Sequence, residues 1–299
     1  MLRLRSWMFV PGISEKMVMK ALNLGLDVAM LDLEDGVVPE MKAKARPIVA
    51  KALQSFRSGG PARFVRVNAC NTTDLEKDLD AVVVPGLDGI VVPKIETIEE
   101  AKELNVNLTR LEKERGLAIG SIKTMLAIET AKAIIAAPHL ATATARVSGL
   151  MFGAEDFSKD IELPTIRTGQ ARDFIYARSA IVLAAAAARI QSVDAVWPDI
   201  QDIEGLRSDT LLGRDLGFTG KSLIHPSQIE IINSTFSPTR REIAFAEELI
   251  CEFEKAILEG HGSISFLGKL VDRPIYERAR STVNAGKRNL DSEKKHNIF

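Results

Sequence analysis

Two carboxylate side chains, Glu129 and Asp156, stand at the ends of consecutive apolar runs of the chain, IKTMLAIET (122–130) and RVSGLMFGAEDF (146–157). A buried unpaired charge is costly, and neighbouring carboxylates such as Glu155 and Asp156 repel one another. Two or three carboxylates, completed by water and ligand oxygens, form the usual site for Mg²⁺. The pair therefore predicts a magnesium site; the alternatives are a capping or first-turn acid of the next helix for Glu129 and a turn-capping acid for Asp156.

Further ionisable residues follow the other apolar runs. Arg66 lies in FVRVN, where a guanidinium needs a bidentate partner, which is either an internal carboxylate (Asp32 or Glu34) or a substrate carboxylate or enolate oxygen. Lys16 and Lys20 share one face near the start of a predicted helix and are either phosphate ligands or ordinary surface residues. Other polar or aromatic groups at the predicted strand ends are Phe9, Asp35, Asn68, Lys94, Trp197, Asp199 and His225.

Eight short apolar runs must position these residues, and each is followed by a segment with helical spacing of apolar residues. They are residues 6–12, 28–35, 63–68, 89–94, 122–130, 146–157, 193–199 and 218–226. Little polar alternation within the runs indicates a parallel sheet buried on both faces. The pattern predicts a (β/α)₈ barrel of the TIM type, whose catalytic groups lie at the carboxyl ends of the strands. An open Rossmann sheet is the alternative, but VPGISEK after the first run lacks GxGxxG.

The predicted barrel spans residues 1–236, and a C-terminal extension of residues 237–299 lies beyond the eighth unit. Within the extension we predict a helix over residues 238–259, then a short strand pair and a second helix. The final residues, 287–299, are charged and poor in aromatics, so we expect them to fray.

Composition is that of a globular protein, with 299 residues, 46% hydrophobic residues and a net charge of -1. This even balance gives no general attraction to nucleic acid or to an anionic membrane. Cys70 and Cys251 form no metal-binding spacing and suit a reducing compartment. The apolar part of MLRLRSWMFVPG is too short for a signal peptide, so a cytoplasmic location is expected.

Eight motifs in order carry a resemblance to a known family: RSWMFVPG, LDLEDGV, FVRVN, VVPKIET, AIET, FGAEDF, KSLIHPSQI and GKLVDRP. From Arg5 to about Arg280 the chain resembles the CitE-like acyl-CoA lyases, relatives of the citrate lyase β subunit in the HpcH/HpaI aldolase superfamily. The resemblance implies a Mg²⁺-dependent barrel, assembled as a homotrimer or hexamer, that cleaves or forms a C–C bond in a 3-hydroxyacyl-CoA thioester.

The resemblance also implies roles for individual residues. Glu129 and Asp156 would be the metal ligands, and Arg66 would bind the substrate carboxylate and stabilise oxyanion charge. Asp272 would be a catalytic acid that reaches the active site of a neighbouring subunit. Glu34 and Asp35 are candidates for the base that deprotonates the substrate hydroxyl. The expected substrate or CoA contacts are Phe9, Lys16, Lys20, Ile224 and His225, and for His225 a purely structural role is the alternative.

The expected reaction is cleavage of citramalyl-CoA or malyl-CoA to acetyl-CoA and a 2-oxo acid. Alternatives are a citryl-CoA or citryl-carrier-protein lyase (the citrate lyase β subunit), a malyl-CoA thioesterase and a non-catalytic CoA-binding protein. An HpaI-type aldolase acting without CoA is disfavoured, because such enzymes use a His base early in the chain and no His precedes His139.

Overall fold

The computed structural model describes residues 4–55, 60–164 and 174–296. Eight parallel strands close into one barrel in chain order, and the eighth strand pairs with the first. The predicted (β/α)₈ barrel is therefore confirmed, and the open Rossmann sheet is wrong. The strands are β1 (Ser6–Pro11), β2 (Val28–Asp32), β3 (Ala62–Arg66), β4 (Gly89–Val92), β5 (Lys123–Ile128), β6 (Val147–Phe152), β7 (Gln191–Asp194) and β8 (Gly220–Leu223).

Helices follow the strands on the outside of the barrel, as crossover connections between parallel strands require. They are α1 (Glu15–Ala21), α2 (Pro39–Gln54), α3 (Asp74–Val82), α4 (Ile98–Glu114), α5 (Ala131–Leu140), α6 (Ala154–Asp160), α7 (Ile175–Ala188), α8 (Ile203–Leu216) and α9 (Ile229–Phe236). The apolar run over residues 146–157 predicts a single strand and no helix α6. The strand ends at Phe152, and the acidic first turn of α6 suits a helix N-terminus.

The barrel interior below the site is packed with apolar side chains. The Trp7 and Phe64 rings meet edge to face with centroids 4.8 Å apart, and the Trp7 indole donates to the Leu4 carbonyl oxygen at 3.0 Å. Around them lie Val28, Met30, Val91, Met125, Ala127, Met151 and Val193. Burial of each large side chain of this kind contributes about 1.5–3 kcal/mol to the stability of the fold. Because these side chains fill the barrel interior, it is a packed core and not a pore.

The chain divides into two compact units after Asn233, and the second unit spans Ser234–Phe299. The second unit contains α10 (Arg240–Leu258), the antiparallel strands β9 (Ile264–Phe266) and β10 (Lys269–Val271), and α11 (Arg273–His296). Its own core includes Phe253 and Tyr276, whose rings stack with centroids 4.9 Å apart. Fraying was expected from residue 287, whereas α11 continues to His296.

None of the helices in the described ranges is long and apolar enough to cross a membrane.

Candidate active site

A cavity of about 400 Å³ opens at the carboxyl end of the barrel strands. Six residues that sequence analysis assigned to the site line it: Phe9, Asp35, Arg66, Glu129, Asp156 and Ile224. Apolar residues from β6 and the segment after β7, including Met151, Phe152 and Val196, complete the wall. The strands therefore bring charged groups from distant parts of the chain to one apolar-walled cavity, which is the usual form of a small-molecule site.

Arg66, the last residue of β3, is held by an internal carboxylate. Its Nε and Nη2 atoms donate to the two oxygens of Asp32 at 2.8 and 2.6 Å, and Nη1 lies 3.0 Å from Glu34 Oε2. The guanidinium also lies over the Phe9 ring, 4.7 Å from its centroid. Burial opposes the charge, yet Asp32 and Glu34 raise the pKa of Arg66 above its ordinary value. Arg66 thus has internal partners, and its remaining N–H groups can still serve a substrate.

Asp32 is a site residue to which the sequence analysis gave no role beyond that of a possible partner for Arg66. The two oxygens of Asp32 also accept the main-chain N–H groups of Glu34 and Gly36, each at 2.9 Å. A Cβ on Gly36 would lie 2.3 Å from Asp32 Oδ2, so the turn closes only with glycine there. The aspartate therefore fixes both the guanidinium and the loop that carries Glu34 and Asp35.

Lys94 follows β4 and connects several carboxylates, which the sequence did not reveal. Its ammonium donates to Glu34 Oε1 at 2.6 Å and Asp35 Oδ2 at 3.3 Å, and it lies 4.0 Å from Asp156 Oδ1. Its main-chain N–H donates to Glu129 Oε2 at 3.0 Å. Partial burial opposes the charge, but the bond to Glu34 and the neighbouring carboxylates raise the pKa of Lys94.

Glu129 directly follows β5 and is 4% exposed. Burial, together with the negative charges of Glu34 and Asp156, raises the pKa of Glu129 to about 7. Gly153 packs against its side chain so closely that a Cβ there would lie 2.3 Å from Glu129 Cγ. A buried carboxylate that faces a cavity and is costly to ionise suits a cation ligand, because the charge of a bound cation offsets that cost.

Asp156 lies in the first turn of α6, with its side chain 31% exposed, and not at a strand end as predicted. The helix brings its carboxylate to the same cavity as Glu129. Glu155, the neighbour of Asp156, is exposed and lines the cavity as well.

The charges at the site fit a divalent cation bound by Glu129 and Asp156. Two cationic side chains, Arg66 and Lys94, are surrounded by five carboxyl groups: Asp32, Glu34, Asp35, Glu129 and Asp156. Across the described residues no group of three His, Cys, Asp or Glu side chains is arranged to hold a metal ion. Hard oxygen donors with open positions for water and ligand suit Mg²⁺.

Lys16 and Lys20 lie on the exposed side of α1, and neither lines the cavity. Met17, which is 49% exposed, extends from the same helix into the cavity wall. The side chain of Ser14 caps this helix by accepting the N–H of Met17 at 3.3 Å. Both lysines therefore lie on a helix that contributes Met17 to the cavity wall.

The loop after β8 contributes Ile224 to the cavity wall but not His225. The His225 ring caps the short 3₁₀ turn Pro226–Gln228, with Nδ1 2.8 Å from Ser227 Oγ and accepting the Ser227 N–H at 3.2 Å. This is the structural role that the sequence analysis left open. Trp197 and Asp199 were named as strand-end groups, but Val196 lines the cavity in their place.

Asp272 lies in the second unit, between β10 and α11. Its side chain accepts the N–H of Ile275 at 3.4 Å and its carbonyl accepts that of Tyr276 at 3.0 Å. The carboxylate therefore stands at the N-terminus of α11.

Lys42 on α2 is a buried ammonium that sequence analysis missed, since a lysine on a helix usually lies at the surface. It donates to the main-chain oxygens of Leu33 and Glu34 at 2.8 and 2.9 Å, and to Asn68 Oδ1 at 2.6 Å. Asn68 in turn donates to Asp78 Oδ2 at 2.6 Å. This network supports the Glu34 loop from behind.

These features define a (β/α)₈ barrel protein with an acidic cavity at the carboxyl ends of its strands. The family described as HpcH/HpaI aldolase/citrate lyase matches residues 5–226, and the protein belongs to this family. The resemblance inferred from the motifs is therefore confirmed.

Individual proteins extend the comparison beyond the barrel. The chain is 40% identical to the citrate lyase subunit beta of Leuconostoc mesenteroides subsp. cremoris over 97% of this chain and 96% of that protein. It is 33% identical to the mitochondrial citramalyl-CoA lyase of Mus musculus over 93% of this chain and 85% of the mouse protein. The crystal structure of the protein CitE from Mycobacterium tuberculosis in complex with magnesium, acetoacetate and coenzyme A matches with a TM-score of 0.78 and 28% identity, covering 95% of this chain and 98% of that one.

Proposed function

We propose that the protein is a Mg²⁺-dependent carbon–carbon lyase that cleaves a 3-hydroxyacyl-CoA thioester, such as citramalyl-CoA or malyl-CoA, to acetyl-CoA and a 2-oxo acid. The observation that carries the proposal is the cavity in which Glu129 and Asp156 face an Arg66 held by Asp32. The mouse relative is a citramalyl-CoA lyase, and the M. tuberculosis structure contains magnesium and coenzyme A, which supports the same assignment.

The residues of the site suit each part of the cleavage. The chemistry that a Mg²⁺ ion supplies between two carboxylates is polarisation of the substrate hydroxyl, whose pKa falls. Arg66 binds the substrate carboxylate and stabilises the enolate oxygen that forms. Glu34 or Asp35 takes the hydroxyl proton, although Glu34 is already paired with Arg66 and Lys94, which favours the more exposed Asp35.

The reaction then balances as a retro-aldol cleavage. Loss of the hydroxyl proton makes the carbinol carbon the carbonyl carbon of the 2-oxo acid, and the bond to the thioester α-carbon breaks with its electron pair leaving as the acetyl-CoA enolate. Asp272 of a neighbouring subunit, in its acid form, donates a proton to that carbon. In this assembly, a homotrimer or hexamer, Lys16 and Lys20 bind the phosphates of CoA.

A citryl thioester is the second candidate substrate. The 40% identity to a citrate lyase subunit beta over 97% of the chain favours it. Citryl and citramalyl substrates differ only in a carboxylate on the group attached to the carbinol carbon, so the same residues serve both.

The first experiment measures acetyl-CoA and 2-oxo acid together from citramalyl-, malyl-, β-methylmalyl- and citryl-CoA, with Mg²⁺ and with excess EDTA. Metal-dependent release of both products from one thioester is expected. Free CoA without a 2-oxo acid would mean a thioesterase, and no product from any ester would favour a carrier-protein substrate or a non-catalytic CoA-binding protein.

A subunit-mixing experiment tests the position of Asp272. Asp272→Asn and Asp156→Asn are each expected to be inactive, but mixed and reassociated subunits should recover part of the activity, because some sites then combine intact residues from two chains. An active monomer in solution would contradict the arrangement.

A further inference from the structure

Lys94 has a backbone conformation that is unfavourable for a lysine. Its φ is 52°, in the left-handed region that residues other than Gly, Asn and Asp rarely adopt. Glycine would take this conformation without strain. Strained residues persist where their surroundings fix them, and they cluster at functional sites. The side chain of Lys94 therefore needs an explanation beyond the turn that it occupies.

The contacts of Lys94 connect two halves of the acidic site. Its ammonium bonds Glu34 and Asp35 on the loop after β2, while its main-chain N–H bonds Glu129 after β5. Asp156 lies near the ammonium at 4.0 Å, the outer limit for an ion pair. Because φ is positive, the N–H and the ammonium can both reach these carboxylates from one residue.

Glu34 is held between two cations as a result. Its Oε1 accepts from Lys94 at 2.6 Å, and its Oε2 lies 3.0 Å from Arg66 Nη1. Without the ammonium, only the contact with Arg66 would hold Glu34, and a turn of its side chain toward the pair Glu129 and Asp156 would add a carboxylate that attracts the divalent cation. The positive charge of Lys94 also opposes that cation directly.

We propose that Lys94 is a positioning residue of the reaction, which holds Glu34 against Arg66 and keeps the Glu34 and Asp35 carboxylates away from the cation-binding pair. The inference rests on the proposed function, since it assumes that Glu129 and Asp156 bind a divalent cation. It leads to an unusual expectation: removing the ammonium makes Mg²⁺ bind more tightly while the reaction becomes slower. Removing a lysine that merely stabilised the fold would weaken Mg²⁺ binding and slow the reaction together.

Three variants separate the charge of Lys94 from its backbone. Lys94→Met keeps the strained φ and the side-chain length but removes the charge. Lys94→Gly removes the charge and the strain but keeps the N–H for Glu129. Lys94→Arg keeps the charge. Lys123→Met is the matched control, since Lys123 is an exposed lysine at the opposite end of a barrel strand.

Titration calorimetry measures the Mg²⁺ affinity of each variant. Thermal unfolding in EDTA gives its Tm, and steady-state kinetics with the best thioester give kcat and KM. For Lys94→Met we expect roughly threefold to tenfold tighter Mg²⁺ binding, from the loss of a nearby unit charge. Its kcat should fall roughly tenfold to a hundredfold, as loss of charged hydrogen bonds predicts. Lys94→Arg should retain kcat within about threefold, and Lys94→Gly should have a higher Tm than Lys94→Met.

Weaker Mg²⁺ binding in Lys94→Met and Lys94→Gly, together with a lower Tm, would overturn the inference, as would an unchanged kcat. If the wild type cleaves no thioester, the proposed function fails, yet Mg²⁺ affinity and Tm still decide the role of Lys94. Should Lys94→Met fail to fold, Lys94→Gly provides the same comparison without the strained backbone.

Discussion

Replacing Gly153 by alanine tests whether Glu129 binds a divalent cation from the position that the structure gives it. Gly153 has a φ of −101°, which alanine adopts without strain. A Cβ at this residue would lie 2.3 Å from Glu129 Cγ and 2.6 Å from its Oε1. Real Cβ contacts are essentially never below 3.0 Å, so the Glu129 side chain must move.

The size of the effect follows from the overlap. Inserting one methyl group into a closely packed site costs about 1–3 kcal/mol. If that cost falls on the cation-bound position of Glu129, Mg²⁺ affinity weakens by roughly 5-fold to 150-fold, since 1.36 kcal/mol is one factor of ten.

Titration calorimetry with Mg²⁺ measures the change, and Gly25→Ala is the matched control because nothing lies within 4 Å of a Cβ built there. Gly25→Ala should bind Mg²⁺ as the wild type does, and both variants should unfold near the wild-type Tm. Wild-type affinity in Gly153→Ala, alongside lost affinity in Glu129→Gln, would refute the reasoning, since Glu129 would then bind the cation from another position.

Three further predictions concern charge. The pKa of Glu129 is raised from 4.5 to about 7, so the apparent Mg²⁺ affinity measured by calorimetry should fall about tenfold per pH unit below 7 and level off above it. In EDTA, the stability that protonated Glu129 provides should be lost as pH rises from 4.5 through 7, as measured by urea titration. Asp32→Asn should lower kcat/KM roughly tenfold to a hundredfold with Mg²⁺ affinity nearly unchanged, because it releases Arg66; equal activity would contradict this. Glu112→Gln removes one partner of the buried pair with Arg146 and should cost about 3–5 kcal/mol by urea unfolding, with activity at 25 °C retained.

The barrel could be predicted from the sequence because apolar runs and helical spacing alternate over the whole barrel. Parallel strands in chain order also place every strand end on one rim, so Glu129 and Arg66 could be assigned to one site from the sequence. The end of a strand can be recognised in the sequence alone, because a charged residue directly follows the apolar run.

The sequence could name Asp32 and Glu34 as possible partners of Arg66, but it could not fix the contacts between particular side chains, because these depend on register and turn geometry. Asp32 and Arg66 are direct partners across β2 and β3, a pairing fixed by the strand register. Lys94 reaches Glu34 from a residue with a positive φ, a conformation that no residue pattern indicates. The run of residues 146–157 predicts one strand that includes Asp156, whereas Gly153 is the N-cap of helix α6 and places Asp156 in its first turn.

The packed barrel core also determines what can be observed optically. Trp7, which is fully buried there, and Trp197 are the two tryptophans of the chain, and both precede Asn233. Fluorescence excited at a tryptophan-selective wavelength therefore reports the unfolding of the barrel unit alone, while circular dichroism also records α10 and α11. Coincident transitions by the two signals would mean that the two units unfold together, and separated transitions would give each unit its own stability.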